Sequence, residues 1–146
     1  MGLCLSCFYT QDLQELQDVD SSVKLFSFDG YRTLAKVVYI YDGDTVHIVL
    51  PLKETKQLVK IKTRLNGIDT PELRIAEQKE KGLESKQRLV ELLNETNNIV
   101  EVSCGKFDKY GRVLVDLHSS KYTKTLNDIL VDEGYAYKYD GGTKRN

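Results

Sequence analysis

Neither sign of charge is in clear excess in this chain. Its 21 lysine and arginine residues nearly balance its 22 aspartate and glutamate residues, and the formal net charge is −1 at pH 7. A protein that coats nucleic acid through many phosphate contacts usually carries a basic excess. The composition therefore gives no support for a broad basic surface, although it leaves open a small cleft in which positive charge is concentrated locally.

Long apolar runs are also absent from the sequence. No segment approaches the roughly 20 consecutive apolar residues of a transmembrane helix, so we expect no membrane-spanning segment. The amino terminus has neither the basic start nor the longer apolar stretch of a secretory signal. We therefore expect a cytoplasmic protein rather than a secreted one.

Cysteine is scarce and unevenly placed. The chain has three cysteines, of which Cys4 and Cys7 lie in the first seven residues and Cys104 lies alone in a predicted strand. An odd number with this clustering does not indicate a disulfide framework. The simplest interpretation of Cys104 is a small buried hydrophobic side chain.

The first seven residues match an acylation pattern. Removal of Met1 would expose Gly2, and Ser6 stands at the position that N-myristoylation requires. Cys4 and Cys7 would then be available for S-palmitoylation. One myristoyl chain binds membranes only marginally, with a constant of about 10⁴ M⁻¹, whereas a second acyl chain makes anchoring stable. The sequence thus predicts a lipid anchor at the cytoplasmic face of a membrane, and the alternative is an unmodified leader.

The length of 146 residues fits one domain with its own core. We divide the chain into a leader or tether at residues 1–23 and a folded domain at residues 24–146, with no internal repeat. Alternating β-branched and aromatic residues, bounded by turn residues, predict five strands. These are Ala35–Tyr41, Thr45–Leu50, Leu58–Leu65, Ile99–Cys104 and Arg112–His118.

Two further segments have helical patterns. Between residues 77 and 95, Leu83, Val90 and Leu93 lie at near-heptad spacing with Leu89 beside them, which predicts an amphipathic helix. A short helix follows Thr125 as its N-cap and ends at Gly134. Five strands with a helix after the third are typical of an OB-type barrel, so the predicted fold class is α+β.

Charged residues occur at two turns where the fold does not need them. In Asp42-Gly43-Asp44-Thr45, the Asp-Gly pair explains a hairpin turn, but Asp44 adds a hard oxygen ligand suited to Ca²⁺ or Mg²⁺. In the segment from Arg64 to Glu72, a helix start explains Thr70-Pro71-Glu72 but not Arg64 together with Asp69.

A third segment, Asp108-Lys109-Tyr110-Gly111-Arg112, reads as a hairpin loop that also offers two cations and an aromatic ring. Taken together and in this order, the three segments closely resemble the staphylococcal nuclease (thermonuclease) family, over roughly Ala35 to Tyr139. The resemblance implies an OB-fold five-stranded β-barrel with flanking helices. It also implies Ca²⁺-dependent hydrolysis of DNA and RNA, with one ion per active site, cleavage of the P–O5′ bond and 3′-phosphate products.

The resemblance further implies a role for each matching residue. Metal ligands would be the carboxylates of Asp44 and Asp69 and the backbone carbonyl of Thr70. Glu72 would be the general base, and Arg64 and Arg112 would bind the phosphate. Lys109, Tyr110 and Tyr139 would contact the nucleotide, with Tyr137 as the alternative to Tyr139.

Many members of the family continue into a further helix after the segment that corresponds to residues 141–145. We expect its absence from this sequence to affect stability and substrate affinity more than chemistry. We expect a monomer with DNA and RNA as substrates. Two alternatives remain open: a non-catalytic nucleic-acid-binding module on the same barrel, and a lipid-anchored adaptor.

Overall fold

The computed structural model describes residues 10–142, with side chains from Asp12 onward. The predicted acylation sites Gly2, Cys4 and Cys7 lie outside these residues. The first element is helix α1 (Thr10–Gln17), whose leucines at positions 13 and 16 are more than half exposed. The first residue of the buried core is Phe28.

The barrel strands are β1 (Arg32–Ile40), β2 (Thr45–Pro51), β3 (Leu58–Leu65), β5 (Ile99–Phe107) and β6 (Val113–His118). They close into a barrel in the order β1-β2-β3-β6-β5. The β3–β6 contact is parallel and the other four are antiparallel. This architecture confirms the predicted OB-type barrel.

The barrel interior follows the two-residue period of the strands. In β2, Val46, Ile48 and Leu50 point inward and are fully buried, while the residues between them are half-buried. In β3 the inward positions include Leu65 and the buried Thr63, whose hydroxyl donates to the Val46 carbonyl at 2.9 Å. A buried hydroxyl without a partner would cost folding energy, so this bond lets a polar residue stand in the core.

The strand ends differ from the predicted ones. β1 begins at Arg32 and β5 continues to Phe107, because the first residues of β1 pair with β5 and the end of β5 pairs with the start of β6. Tyr41 and Arg112, predicted at strand ends, stand just outside β1 and β6. These partner-dependent ends carry no local sequence signal.

The predicted long helix consists of a 3₁₀ turn (Ala76–Gln78) followed by α2 (Lys79–Asn94). Its buried face is formed by Gly82, Ser85, Leu89, Leu92 and Leu93. The prediction that Leu83 lies on this face was wrong, because its side chain is 48% exposed. Gly82 allows a close backbone contact with the loop before the helix, so the face turns toward Gly82 and Ser85 instead.

The second predicted helix is confirmed as α3 (Leu126–Asp132). The Thr125 hydroxyl accepts a hydrogen bond from the Asp128 N–H at 3.0 Å, which is the expected N-cap. Gly134 follows the helix with a φ of 82°, a value that favours glycine. No helix among residues 10–142 has the length and hydropathy needed to cross a membrane.

Buried Asn127 joins α3 to the barrel. Its side-chain oxygen accepts from the Leu117 N–H at 3.1 Å, and its amide nitrogen donates to the carbonyls of Val115 and Asn66, each at 3.0 Å. Asn66 lies in the turn after β3. One side chain therefore fixes the helix, strand β6 and that turn to one another.

A two-stranded sheet outside the barrel was not predicted. It pairs β4 (Ile68–Asp69) with β7 (Tyr137–Lys138), and Asp69 stands opposite Tyr137. The Tyr139 N–H continues the contact by donating to the Gly67 carbonyl at 2.9 Å. Because each strand is only two residues long, neither has a period that a sequence pattern could reveal.

Substitution of Gly82 by alanine tests the close contact under α2. Helix propensity alone would stabilise the variant by about 1 kcal/mol. An alanine Cβ, however, would lie 2.7 Å from the Pro71 carbonyl oxygen and 2.9 Å from a Leu73 methyl carbon. We expect Gly82→Ala to lower the free energy of unfolding by about 1–3 kcal/mol, as overpacking typically does.

Urea denaturation measures this difference. Glu84→Ala, at an exposed position on the same helix, serves as the control and should stay within about 0.5 kcal/mol of the wild type. A Gly82→Ala protein more stable than the wild type would show that the loop does not press against the helix.

Candidate active site

One cleft gathers all the site residues predicted within the folded domain. Its volume is about 1080 Å³, and it lies where the β1–β2 turn, the loop around β4 and the β5–β6 loop meet. Its lining includes the predicted metal ligands, general base, phosphate-binding arginines and nucleotide contacts: Asp44, Arg64, Asp69, Thr70, Glu72, Lys109, Tyr110, Arg112 and Tyr139.

At the floor of the cleft, Arg64 bridges two carboxylates. One terminal nitrogen of its guanidinium lies 2.9 Å from an Asp44 oxygen, and the other lies 2.9 Å from an Asp69 oxygen. The three side chains are only 11%, 6% and 14% exposed, respectively. Buried charges of one sign need a partner, so the guanidinium holds the two carboxylates close together.

The Asp44 carboxylate is fixed from further directions. Its Oδ2 atom accepts from the Thr70 N–H at 2.9 Å, and its Oδ1 atom accepts from the Thr45 hydroxyl at 2.9 Å. The neighbouring Asp42 accepts from the Asp44 N–H at 3.1 Å. Burial, together with the negative charge of Asp44, raises the pKa of Asp42 to about 6. At the floor of the cleft, the Asp44 charge thus acts on a second, half-buried carboxylate.

Asp108 aligns the second arginine. One oxygen of Asp108 accepts from the backbone N–H groups of Tyr110 and Arg112, each at 2.9 Å, and the other accepts from the Arg112 Nε at 2.7 Å. A terminal nitrogen of Arg112 also reaches the Thr45 hydroxyl at 3.4 Å. Thr45 thereby links the Arg112 side chain to the Asp44 carboxylate.

The predicted general base lies in the loop between β4 and α2. The Glu72 N–H donates to the Gln78 side-chain oxygen at 3.0 Å, which fixes its backbone to the start of the helix. Its carboxylate, on a side chain only 19% exposed, forms an ion pair with Arg74 at 2.6 Å. This hydrogen bond raises the pKa of the Arg74 guanidinium.

Aromatic rings line the cleft beside the cations. The Tyr139 ring centroid lies 5.7 Å from the Arg64 guanidinium, and the Tyr110 ring lies 5.0 Å from the Lys109 amine and 5.4 Å from the Arg112 guanidinium. Tyr137 is 53% exposed and does not line the cleft. The geometry therefore places Tyr139, rather than Tyr137, at the site.

Several cleft residues were missed by sequence reasoning. The hairpin turn alone accounts for Asp42 in the sequence. Thr45 and Asp108 lie within the charged segments, but the sequence predicts no separate role for them. Tyr41 and Arg74 carry no motif, since a tyrosine after a strand and an arginine on a loop are common surface residues. All five line the cleft. Only their positions relative to the predicted residues give them significance.

Three other reactive residues, His47, His118 and Cys104, do not line the cleft. His47 packs its ring 5.0 Å from that of Tyr39, and the His118 ring is 3.1 Å from the Ser103 hydroxyl. Burial raises the pKa of the Cys104 thiol to about 11, so the thiol stays protonated near neutral pH. The burial of Cys104 agrees with the small hydrophobic side chain expected from the sequence.

A closed barrel bearing a cleft lined by carboxylates, arginines and tyrosines defines an OB-type domain with a candidate site for a charged ligand. The sequence model of the family described as staphylococcal nuclease homologue matches residues 62–146. Because this match covers more than half of the 146 residues, the chain belongs to that family. A comparison with curated proteins found no match.

Family membership indicates a nuclease or a nucleic-acid-binding function. The match begins within β3 and leaves out the β1–β2 turn. The inclusion of Asp44 in the site therefore rests on its contacts with Arg64 and Thr70.

The Asp108 carboxylate should make stability depend on pH. Burial alone would raise its pKa, but the hydrogen bonds from Arg112 and Tyr110 outweigh burial and hold the pKa below its usual range. A carboxylate whose pKa is lower in the folded state than in the unfolded state stabilises the protein at pH values above the unfolded-state pKa of about 3.9. This stabilisation is lost as the pH falls through the folded-state pKa.

We therefore expect Asp108→Asn to unfold at lower urea concentration than the wild type at pH 7. The difference in unfolding midpoint between the variant and the wild type should narrow progressively as the pH falls below about 5. Asp29→Asn, at an exposed aspartate, is the control and should follow the wild type throughout. An Asp108→Asn deficit that stays constant down to acid pH would contradict the assigned charge interaction.

Proposed function

We propose that the protein is a Ca²⁺-dependent nuclease that hydrolyses DNA and RNA at the P–O5′ bond and leaves 3′-phosphates. The observation that carries the proposal is the Arg64 bridge between Asp44 and Asp69 in the same cleft as Glu72 and Arg112. A binding module needs cations and rings but has no use for buried carboxylates beside a phosphate site. Hydrolysis needs all of these groups.

The chemistry of the cleft floor fits a hard divalent cation. Asp44 and Asp69 supply carboxylate oxygens, which Ca²⁺ and Mg²⁺ prefer, and a backbone carbonyl such as that of Thr70 is a further oxygen ligand of the same kind. Within residues 10–142, no cluster of three or more His, Cys, Asp or Glu side chains is arranged to hold a metal. We propose that two carboxylates, of Asp44 and Asp69, and the Thr70 carbonyl would hold Ca²⁺, with water completing the coordination.

The balance of charge in the cleft favours an additional cation. Six acidic side chains line the cleft beside five basic ones: Asp42, Asp44, Asp69, Glu72, Asp108 and Asp140, with Lys62, Arg64, Arg74, Lys109 and Arg112. The acidic groups weaken the attraction of the basic groups for a phosphodiester, and an additional cation would strengthen it. When bound, Ca²⁺ supplies positive charge against the phosphate oxygens and makes a coordinated water more acidic.

The chain's own residues have separable tasks in the proposed reaction. Arg64 and Arg112 bind phosphate oxygens through N–H groups that do not contact the neighbouring carboxylates. Because those carboxylates fix both guanidinium groups, the scissile phosphate is held in one orientation. Negative charge grows on these oxygens as water adds, so pre-aligned donors stabilise the transition state more than the bound substrate. The Glu72 carboxylate takes the proton of the attacking water, and Lys109, Tyr110 and Tyr139 hold the nucleotide.

Two substitutions that keep size or charge test these tasks. Glu72→Gln removes the base, and we expect a loss of about 10²–10⁴ in the cleavage rate. Arg64→Lys keeps the charge but loses the fork, and we expect a loss of about 10²–10³. The rates are measured on single-stranded DNA with Ca²⁺. Circular dichroism verifies that each variant is folded.

Matched controls lie outside the cleft. Glu77→Gln changes an exposed glutamate five residues after Glu72, and Arg32→Lys changes an exposed arginine that pairs with Glu101. Both should cleave like the wild type, and EGTA should stop cleavage in every sample. Normal turnover by folded Glu72→Gln or Arg64→Lys would remove that residue from the mechanism. Binding of DNA without cutting, with or without Ca²⁺, would identify a non-catalytic module instead.

We also propose that the amino terminus is acylated at Gly2, Cys4 and Cys7 and holds the domain at the cytoplasmic face of a membrane. The acylation pattern of the first seven residues carries this proposal. The segment from residue 12 to residue 27 has exposed side chains throughout, so it can separate a membrane-bound end from the barrel.

Mass spectrometry of the amino-terminal peptide from eukaryotic cells that express the full chain tests the acylation. We expect one myristoyl group and at least one palmitoyl group on the wild type. The Gly2→Ala variant cannot be myristoylated. We therefore expect it to leave the membrane fraction, because stable anchoring needs the myristoyl group together with palmitoylation. A Gly2 that is recovered unmodified from the native source would contradict the proposal.

A further inference from the structure

Two exposed residues at the rim of the cleft stand apart from the predicted site. Tyr41 follows β1 and is 51% exposed, and the Arg74 side chain, in the loop before α2, is 82% exposed. Both line the cleft, and we call them the rim pair. Neither belongs to the three charged segments of the sequence, and neither has a task in the proposed hydrolysis.

The Arg74 guanidinium is held beside the candidate base. Its Nε atom donates to a Glu72 oxygen at 2.6 Å, and Tyr41 and Tyr110 line the same cleft. The guanidinium has five N–H donors, of which four are on the terminal nitrogens. Anchored by Nε, it can present these terminal donors to an anion at the mouth of the cleft.

Tyr41 offers the flat apolar face of its ring in the same cleft. A half-exposed tyrosine is common on a protein surface and means little by itself. Its neighbour Tyr39 is 52% exposed on the same chain segment, but the Tyr39 ring packs against His47 and does not line the cleft. Tyr41 therefore differs from Tyr39 in location and not in exposure.

We propose that the rim pair binds a second nucleotide, adjoining the one whose phosphate is cleaved. Tyr41 stacks on the base of this nucleotide, and Arg74 binds its phosphate. A ring and a cation in one cleft match the alternation of base and phosphate along one strand, and both interactions tolerate any base. Because a base within a duplex has no free face, the subsite selects unpaired nucleic acid. The inference rests on the proposed function of the cleft.

Binding of a fluorescein-labelled oligothymidylate to the full chain, measured by fluorescence anisotropy in EGTA, tests the rim pair. Tyr41→Ala and Arg74→Ala are compared with Tyr39→Ala and Arg32→Ala, which remove an equally exposed tyrosine and an exposed, ion-paired arginine outside the cleft. We expect the dissociation constant to rise about tenfold for each rim variant and to stay at the wild-type value for each control.

Salt dependence and an abasic probe separate the two contacts. Arg74→Ala should reduce the slope of log affinity against log salt by about 0.7, as loss of one phosphate contact to a single strand does. Tyr41→Ala should keep the wild-type slope. It should also lose most of the wild-type preference for oligothymidylate over an abasic deoxyribose-phosphate chain, because stacking requires a base.

Three results would overturn the subsite: a wild type that does not bind the oligothymidylate, a rim variant that binds as tightly as its control, or equal losses in all four variants. Cleavage of the same oligonucleotide by the wild type in Ca²⁺ is assayed in parallel. If the wild type cleaves the oligonucleotide but the rim variants bind it as tightly as their controls do, the subsite alone is refuted. Rim-dependent binding without cleavage supports the subsite and refutes the proposed hydrolysis.

Discussion

The buried guanidinium of Arg64 is the contact on which the rest of the cleft depends. It joins Asp44, next to the start of β2, to Asp69 in β4, and it lies at the end of β3, so three strands meet at one charge. Removing one partner of such a buried pair typically costs about 3–5 kcal/mol, because the other charge is left uncompensated. The two carboxylates are thereby kept together where a protein would otherwise avoid placing them. Stability alone does not favour this arrangement, and the proposed function of the cleft would account for it.

Small residues let the surrounding backbone reach this charged centre. A Cβ at Gly43 would lie 2.8 Å from the Ser85 Cβ and 2.9 Å from a Thr70 methyl carbon, so the β1–β2 turn rests directly on α2 and on the loop after β4. Ser85, in turn, donates to the Tyr135 carbonyl at 2.6 Å, just before β7. The helix therefore serves as the base against which the turn, the loop and the carboxy-terminal strand are aligned, and Tyr139 reaches Arg64 as a result.

Sequence patterns predicted the fold well where a period was long enough to read. The inward residues of β2 and β3 and the N-cap Thr125 are as expected, because strand alternation and capping are local rules. The helix face around Leu83 was wrong, since a contact between Gly82 and Pro71 sets its rotation. The β4–β7 sheet was missed because two-residue strands exist only through their pairing. The candidate site residues were predicted through a resemblance in three loops and line one cleft, whereas Tyr41 and Arg74 carry no signal in the sequence.

The sequence by itself determined the five barrel strands, the two helices that follow β3 and β6, the order of an OB-type barrel and the types of side chain available for the proposed chemistry, because these follow from local periodicity and side-chain chemistry. Only the tertiary structure decided which of these groups face one another. Arg64 and Asp69 are five residues apart, but the Asp44 contact spans twenty residues, and Arg112 reaches Thr45 across 67 residues. Distances of this kind are set by barrel closure and by the packing of α2, which no short stretch of sequence encodes.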